Sequence, residues 1–536
     1  MAKAAIRKGS SDHALPGPAG VVATACPERS HAEHGKPHTA VGSCDQPATR
    51  EGQAGPCGVA EGSVVPTKPG NSGRGKGPWL KAASDGVRDR RLAMSLATPI
   101  GVQKLQAALH GKAKDSVGHR FHALYDKVYR GDVLAHAYDR CRANGGVAGV
   151  DGQTFEDTEA YGRQRWLTEL ADQLRNQTYR PQAVRRVWIP KPDGKQRPLG
   201  IPTIADRVVQ MAVVLVIEPI FEADLQPEQY AYRPGRSAHD AIACIDGLLR
   251  SGHTQVVDAD LSGYFDSIPH AELMRSVGRR ICDGTLLALI KRWLVASVEE
   301  PDVLGRVHRT TRAKDEGRGT PQGAPISPLL SNLYMRRFVL GWKELGHERR
   351  LDAHIVNYAD DFVICCRGRA EEARTAMASM MRRLKLTVNE AKTHICRLPD
   401  KTFEFLGFTF GRYYSPRTGR SSVQHWPSRK RVARVCGAIS ELTGRRWLWL
   451  SIGERITSLN QLLIGWRNYF ASGAYWKAFR AVDRHVWMRL RRWLCRKHKV
   501  RGNGGDSYPL EYLYGELGLA SLERTAPRQG HSRAKP

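Results

Sequence analysis

Residues 354–366 read HIVNYADDFVICC, with two adjacent carboxylates, Asp360 and Asp361, set between runs that otherwise look like buried strands. Ile355, Val356 and Tyr358 precede the pair, and Phe362, Val363 and Ile364 follow it. Two ionised carboxylates ~4 Å apart repel by about 4 kcal/mol at an effective dielectric of ~20. Burying them unpaired costs more. A straight strand sends neighbouring side chains to opposite faces, whereas a hairpin turn lets them converge. The stretch therefore predicts strand, turn, strand, with something nearby to offset the charge.

A second acidic site lies in QVVDADLSGYFDSI, 255–268. Gln255 to Val257 read as a strand, Asp258 and Asp260 share a face by period two, and Asp266 follows six residues later. Asp260 with Asp360 and Asp361 would place three carboxylates on two adjacent strands, and hard oxygen donors without an organised His or Cys set favour Mg²⁺ over zinc. Two such ions are the usual clamp for in-line nucleotidyl transfer, and their charge would offset the repulsion. An ordinary exposed turn is the other reading of Asp-Asp taken alone. The third element is GRGTPQGAPISPLLSNLYM, 317–335, where three glycines within seven residues permit close backbone approach to a bulky ligand. Ser327 and Pro328 predict a helix N-cap and first turn there, and a purely structural loop reads equally well.

Charge narrows the partners. Lys and Arg number 83 against 53 Asp and Glu, a net of +30, which points to nucleic acid first and an anionic membrane surface second. From Gly411 to Pro536 there are 25 basic and 7 acidic residues and seven of the twelve Trp. Basic residues interleaved with aromatics suit a surface that grips phosphates and stacks on bases; a solvated helical face over a Trp-rich core is the alternative. No run approaches the ~18 apolar residues of a membrane span, and the N-terminus lacks an apolar signal region. Eleven Cys, an odd number without a C-x-x-C pair, argue for a reducing cytosol, and Cys365 and Cys366 read as small hydrophobes.

Along the chain, residues 1–93 are Gly-, Pro-, Ala-, Ser- and His-rich without apolar periodicity and are expected to be disordered. Their His and Cys are too irregularly spaced to favour a metal cluster. Texture changes at Met94, a candidate translation start. Residues 94–179 read as a helical extension, broken by NGGVAGVDG at 144–152. The segment 184–203 predicts a β-hairpin about Pro-Asp-Gly, and 203–222 a buried helix opening on Thr203 and Asp206 in capping-box spacing. Mixed strands and helices run to 410, a helical Trp/Arg-rich region spans 411–500, and 501–536 form a short basic appendage with a loose tail, a candidate DNA-binding remnant.

Taken together, YADD (358–361), DLSGYFDSI (260–268) and TPQGAPISPLLSN (320–332) resemble, in order and spacing, the palm of reverse transcriptases. IPKPDGKQRPLGIPTIADRVVQ (189–210) and YAYRPGRSAHDAI (230–242) resemble the fingers of the group II intron-encoded reverse transcriptase/maturases. LKLTVNEAKTHI (384–395) and FEFLGFTF (403–410) resemble the motifs that close the palm, and LNQLLIGWRNYF (459–470) the maturase thumb. The resemblance, from about Met94 to Leu519, implies an α+β right-hand polymerase: fingers and palm over 180–410 with an antiparallel sheet and packed helices, then an α-helical thumb/maturase domain.

It also implies RNA-directed DNA synthesis with two Mg²⁺, Mn²⁺ being a possible substitute. Asp260, Asp360 and Asp361 match the catalytic metal ligands, and Asp258 is expected to support them; its other reading is a plain strand-end acid. Phe265 matches the aromatic gate against a ribose 2′-hydroxyl, Lys191 and Arg197 match fingers residues that reach the dNTP triphosphate, and Gln322 lines the nucleotide pocket. Arg491, Arg492 and Arg496 are expected to bind nucleic acid. The implied partners are group II intron RNA, an RNA template with DNA primer, target DNA and dNTPs, in a bacterial cytosolic or nucleoid ribonucleoprotein that promotes splicing and retromobility. Nothing after Val500 resembles the Cys/His-bearing endonuclease domain of some members, so insertion into exposed single strands is expected. A domesticated, retron-type or diversity-generating reverse transcriptase without a splicing role is the alternative.

Overall fold

The computed structural model describes residues 96–523 except 191–193, 195, 303–305, 416–418 and 503. Lys191, Met94, the 1–93 segment with its expected disorder, and the tail from 524 lie outside the described residues.

β1 (Val184–Pro190) and β2 (Gln196–Ile201) form the hairpin expected at Pro-Asp-Gly, antiparallel from Arg185↔Ile201 to Pro190↔Gln196. Gly194 in the turn has φ +79°, a conformation that glycine adopts without a Cβ clash. β3 (Gln255–Ala259) belongs to a different sheet, whereas β4 (Val298–Pro301) and β5 (Val307–Thr310) extend the first one in the order β2-β1-β4-β5. β6 (Ala353–Tyr358), β7 (Asp361–Cys366) and β8 (His394–Arg397) join β3 in an antiparallel sheet ordered β6-β7-β3-β8. β9 (Phe403–Phe405), β10 (Phe408–Tyr414) and β11 (Ser421–Pro427) form a third, antiparallel sheet. The helix Ile204–Glu222 is buried along most of its length, as its continuous apolar run demands.

The β6-β7-β3-β8 sheet separates two cores, and its period-two alternation decides which residue meets which. Val257, Ala259, Phe362 and Ile364 face the larger core, shared with the helices Ile204–Glu222, Ser327–Glu344 and Ala370–Arg383. Val256, Val356, Val363, Cys365 and Cys396 face the second, built with Phe403, Phe408 and Phe410 and the helices Ile452–Phe470 and Trp476–His498. Cys365 and Cys366 are both wholly buried apolar packing, as their strand context predicts.

Four local expectations need correction. The division after 410 falls inside β10, whose residues to Tyr414 pair with β11; the helical part of the thumb begins at Arg429. Ser327 is the first helical residue, not the cap, because its hydroxyl donates to the Pro321 carbonyl at 2.8 Å. Thr203 does cap the 204–222 helix, accepting from the Asp206 amide at 3.1 Å. The Asp206 carboxylate does not complete a capping box, since it is engaged by the Tyr179 hydroxyl and the Gln182 amide. Finally, up to Glu523 the segment after 500 is part of the thumb rather than an appendage to it. Leu513, Leu519 and Leu522 are buried in the second core, and Asp483 accepts from the amides of Leu522 (3.0 Å) and Glu523 (3.1 Å). The thumb core is incomplete without this segment.

Candidate active site and nucleic-acid surface

The acidic hairpin forms as its sequence requires. Tyr358 pairs with Asp361, so Ala359 and Asp360 make a two-residue turn. A positive φ at the first turn residue alone is the type II′ pattern, in which glycine is usual, yet Ala359 stands there at φ +61°. The strained turn is braced from below by Asn357, wholly buried, whose side-chain amide donates to the Ala359 carbonyl at 2.8 Å. The Asn357 backbone in turn pairs with Glu228 and Tyr230. Strand alternation gives Asp361 the same face as Val363 and Cys365, and Asp258 and Asp260 the same face as Val256. Since β3 and β7 are neighbours, Asp258, Asp260 and Asp361 emerge on one face, just beyond the edge of the second core.

The charge is only partly offset. Asp260 Oδ2 meets Lys392 Nζ at 3.2 Å and accepts from Asn389 Nδ2 at 3.0 Å, and Asn389 N donates to the Asp260 carbonyl at 2.8 Å. Asp361 has no such cation. Partial burial first, then the charges of Asp360, Asp260 and Asp258, push its carboxyl up to about 6, with Lys392 easing the effect. Burial likewise raises Asp258 to about 6, relieved by His394 at 3.7 Å and aggravated by Asp260 and Glu404. This residual negative charge on an all-oxygen donor set fits a hard divalent cation. Among the described residues, the carboxylate oxygens of Asp260, Asp360 and Asp361 do not all lie within 4.8 Å of one another, and Lys392 occupies Asp260 Oδ2.

Linkage fixes the pH dependence. A carboxyl near 3.8 in the unfolded chain and near 6 in the folded one binds more protons when folded, so stability falls as pH rises through that window. In metal-free buffer, Asp361→Asn is therefore expected to melt about 1–2 °C above the wild type at pH 7.5, and to keep only about half of that advantage at pH 5. Calorimetry at the two pH values checks it.

Facing the carboxylates is a hydrogen-bond chain from β2. Arg197 Nε donates to Gln322 Oε1 at 3.1 Å, and Gln322 Nε2 donates to Asp266 Oδ2 at 3.1 Å. The glycine-rich loop is thereby tied to β2, helped by Gly200 N donating to the Gln322 carbonyl at 2.6 Å. Asp266 thus does not join the metal carboxylates. Its charged neighbours are Arg186, Arg312 and Arg197, because the helix Tyr264–Ser267 turns it away from Asp260. Gly323, at φ +109°, sits so close to β2 that a Cβ would lie 2.6 Å from the Gly200 carbonyl oxygen. Gly323→Ala should cost about 1–3 kcal/mol and detach Gln322 from β2, read as a lower melting temperature and a raised KM for dNTP.

Phe265 is 7 % exposed and packs edge-on against Tyr264. Tyr232 went unremarked in the sequence, yet it stands half exposed at φ +55°, unusual for a bulky residue. Burial, then the nearby Asp360 carboxylate, raises its phenol, while Arg197 opposes that shift, so the ring lies between β2 and the acidic turn. Its neighbour Arg233 anchors it by pairing with Glu222 at 2.6 Å. Asn357, Asn389 and Lys392 were also missed, although a lysine in NEAKT is the kind of charge the acidic pair demands.

On the helix Trp476–His498, Arg492 and Arg496 are exposed, but Arg491 is occupied within the protein. Arg491 donates to the Tyr508 carbonyl at 2.7 Å and stacks 4.8 Å over Trp487. Arg489 is likewise engaged, donating to Thr443 Oγ1 at 3.1 Å and to the Ser440 carbonyl at 2.9 Å, and burial and then the like charges of Arg492 and Arg496 lower it; the exposed cations of this face are Arg492 and Arg496. Beneath it Trp493 is core, whereas Trp449 is 73 % exposed.

An acidic turn beside an acidic strand end, with an arginine from a separate hairpin, a glutamine from the glycine-rich loop and a basic helical domain following, defines a nucleotidyl-transfer polymerase of right-hand architecture. Known proteins give the family. Residues 189–410 match the model for reverse transcriptase (RNA-dependent DNA polymerase), and 432–507 match the group II intron, maturase-specific domain. Protein YkfC of Escherichia coli (strain K12) is 37 % identical over 279 residues, 45 % of this chain and 70 % of that protein. Group II intron-encoded protein LtrA of Lactococcus lactis subsp. cremoris is 27 % identical over 358 residues, 55 % of this chain and 58 % of LtrA. The chain belongs to the group II intron-encoded reverse transcriptase/maturase family.

Proposed function

We propose that the chain synthesises DNA on an RNA template from a DNA primer and dNTPs, and separately binds group II intron RNA to promote its splicing and retromobility into target DNA. The convergence of Asp260, Asp360 and Asp361 at one end of one sheet face, opposite Arg197 and Gln322, carries the reading. Asp260, Asp360 and Asp361 would hold two Mg²⁺, with Mn²⁺ as a substitute. When bound, such ions activate a primer 3′-hydroxyl and neutralise the leaving pyrophosphate. Arg197 would bind triphosphate oxygens bidentately, Gln322 would position the nucleotide, Phe265 would stand as the aromatic gate against a ribose 2′-hydroxyl, and Tyr232 would close the pocket side.

The exposed arginines Arg492 and Arg496, and not Arg491, would hold intron RNA through phosphates. Among the described residues no helix is long and apolar enough to cross a membrane, in keeping with a ribonucleoprotein of the bacterial cytosol. The maturase-specific match favours an intron role over a retron or diversity-generating one. Extension of a DNA primer on an RNA template by the purified chain, with dNTPs and Mg²⁺, tests the polymerase. Absence of cDNA from folded protein would leave RNA binding as the sole function.

A further inference from the structure

At the end of the palm sheet opposite the acidic turn, His253, Asp352 and His354 bring one ligand atom each to within 4.8 Å of the others. His253 immediately precedes β3, while Asp352 and His354 flank the start of β6; the end of β7 lies between them. His253 Nε2 is 3.0 Å from Asp352 Oδ1, and His354 Nε2 is 3.6 Å from the same oxygen.

The other ring nitrogens settle what these contacts are. His253 Nδ1 is 3.2 Å from the Leu248 carbonyl, which can only accept, and 2.9 Å from Ser251 Oγ. His354 Nδ1 is 3.0 Å from the Glu348 carboxylate, again an acceptor. In its neutral form each imidazole donates from Nδ1 to these acceptors and turns its Nε2 lone pair on a carboxylate oxygen. In that form the lone pairs and the anion repel unless a proton or a metal cation lies between them. An imidazole that donates one N–H to a carbonyl or carboxylate while offering the other nitrogen is the arrangement that orients a metal-bound histidine.

We propose that His253 Nε2, His354 Nε2 and an Asp352 oxygen form a site for a divalent transition metal, zinc foremost, separate from the Mg²⁺ carboxylates. Two imidazoles and one carboxylate are a donor set for borderline ions rather than for Mg²⁺. Tetrahedral donors ~2.0–2.1 Å from zinc lie about 3.3 Å apart, between the 3.0 and 3.6 Å found here. His253 is buried, whereas Asp352 and His354 keep solvent access, which gives the ion an entry and water a fourth position. Arg367 Nε, 3.6 Å from Asp352 Oδ2, is the competing cation and engages the other carboxylate oxygen. The ion would pin the starts of β3 and β6 together about 20 Å from Asp360, fixing the strands whose far ends carry the reactive carboxylates.

The test uses the full chain, stripped with chelator and titrated with ZnCl₂ or CoCl₂ in excess Mg²⁺. Wild type should bind one more equivalent than Asp352→Asn, His354→Gln or His253→Gln. It should also show tetrahedral Co²⁺ bands, and a zinc-dependent rise in melting temperature, that the variants lack. Glu348→Gln should keep the site but weaken it about tenfold. Because the buried His253 is the variant most prone to misfold, the half-exposed Asp352→Asn and His354→Gln decide the matter. Equal stoichiometry in wild type and both of these would reduce the cluster to a protonated His–Asp ion pair and overturn the proposal.

Discussion

Replacing Asp360 and Asp361 together by Ala should abolish cDNA synthesis, by ~10³-fold or more, while intron RNA binding and splicing stay within about twofold of wild type. The drop corresponds to at least ~4 kcal/mol of lost transition-state stabilisation. Among the described residues, both carboxylates belong to the donor set that pairs the turn with the β3 end, while Asp258 lies further back along β3 beside His394. The fold should survive, because the pair contributes a cost rather than support: Asp361 is raised to about 6 by burial first and then by its acidic neighbours. Asn357, which braces the turn, remains. Primer extension and a splicing assay on the same preparation separate the outcomes. Residual cDNA within tenfold of wild type would remove catalysis from the hairpin, and loss of splicing in parallel would sink the division of labour.

Charge reversal at Arg492 and Arg496 should do the opposite. Affinity for intron RNA is expected to fall about 100-fold at moderate salt, and the slope of log affinity against log salt should flatten by about 2, roughly one unit per lost phosphate contact. These guanidiniums are exposed and crowd Arg489, so they repel one another until an anion arrives. Arg491→Glu supplies the contrast: its guanidinium holds the Tyr508 carbonyl and the Trp487 ring, so its loss should lower the melting temperature more than the salt slope. Binding isotherms at several salt concentrations distinguish the two. An unchanged slope in the Arg492/Arg496 variant would move the RNA surface elsewhere, the exposed Trp449 and its neighbours Arg445 and Arg446 being next in line.

The local elements were legible because their causes are local. The Pro-Asp-Gly hairpin, the buried 204–222 helix and the acidic turn each follow from short-range patterns: turn chemistry, an unbroken apolar run, and two carboxylates that a straight strand would separate. Period two was enough to put Asp258 and Asp260 on one face, and residue identity alone marked Asp260, Asp360 and Asp361 for a hard cation.

Tertiary structure alone decided how charges were partnered. Lys392 and Asn389 reach Asp260 across more than a hundred residues of sequence, and the Arg197–Gln322–Asp266 chain joins three distant segments. Such pairings have no period and no spacing rule, so nothing near Asp266 announced that it would leave its neighbours for the glycine-rich loop. The same holds for Arg491, turned inward while Arg492 faces solvent, and for the segment to Glu523, held by Asp483. A sequence states which groups carry charge; which charges meet depends on packing between elements far apart in the chain.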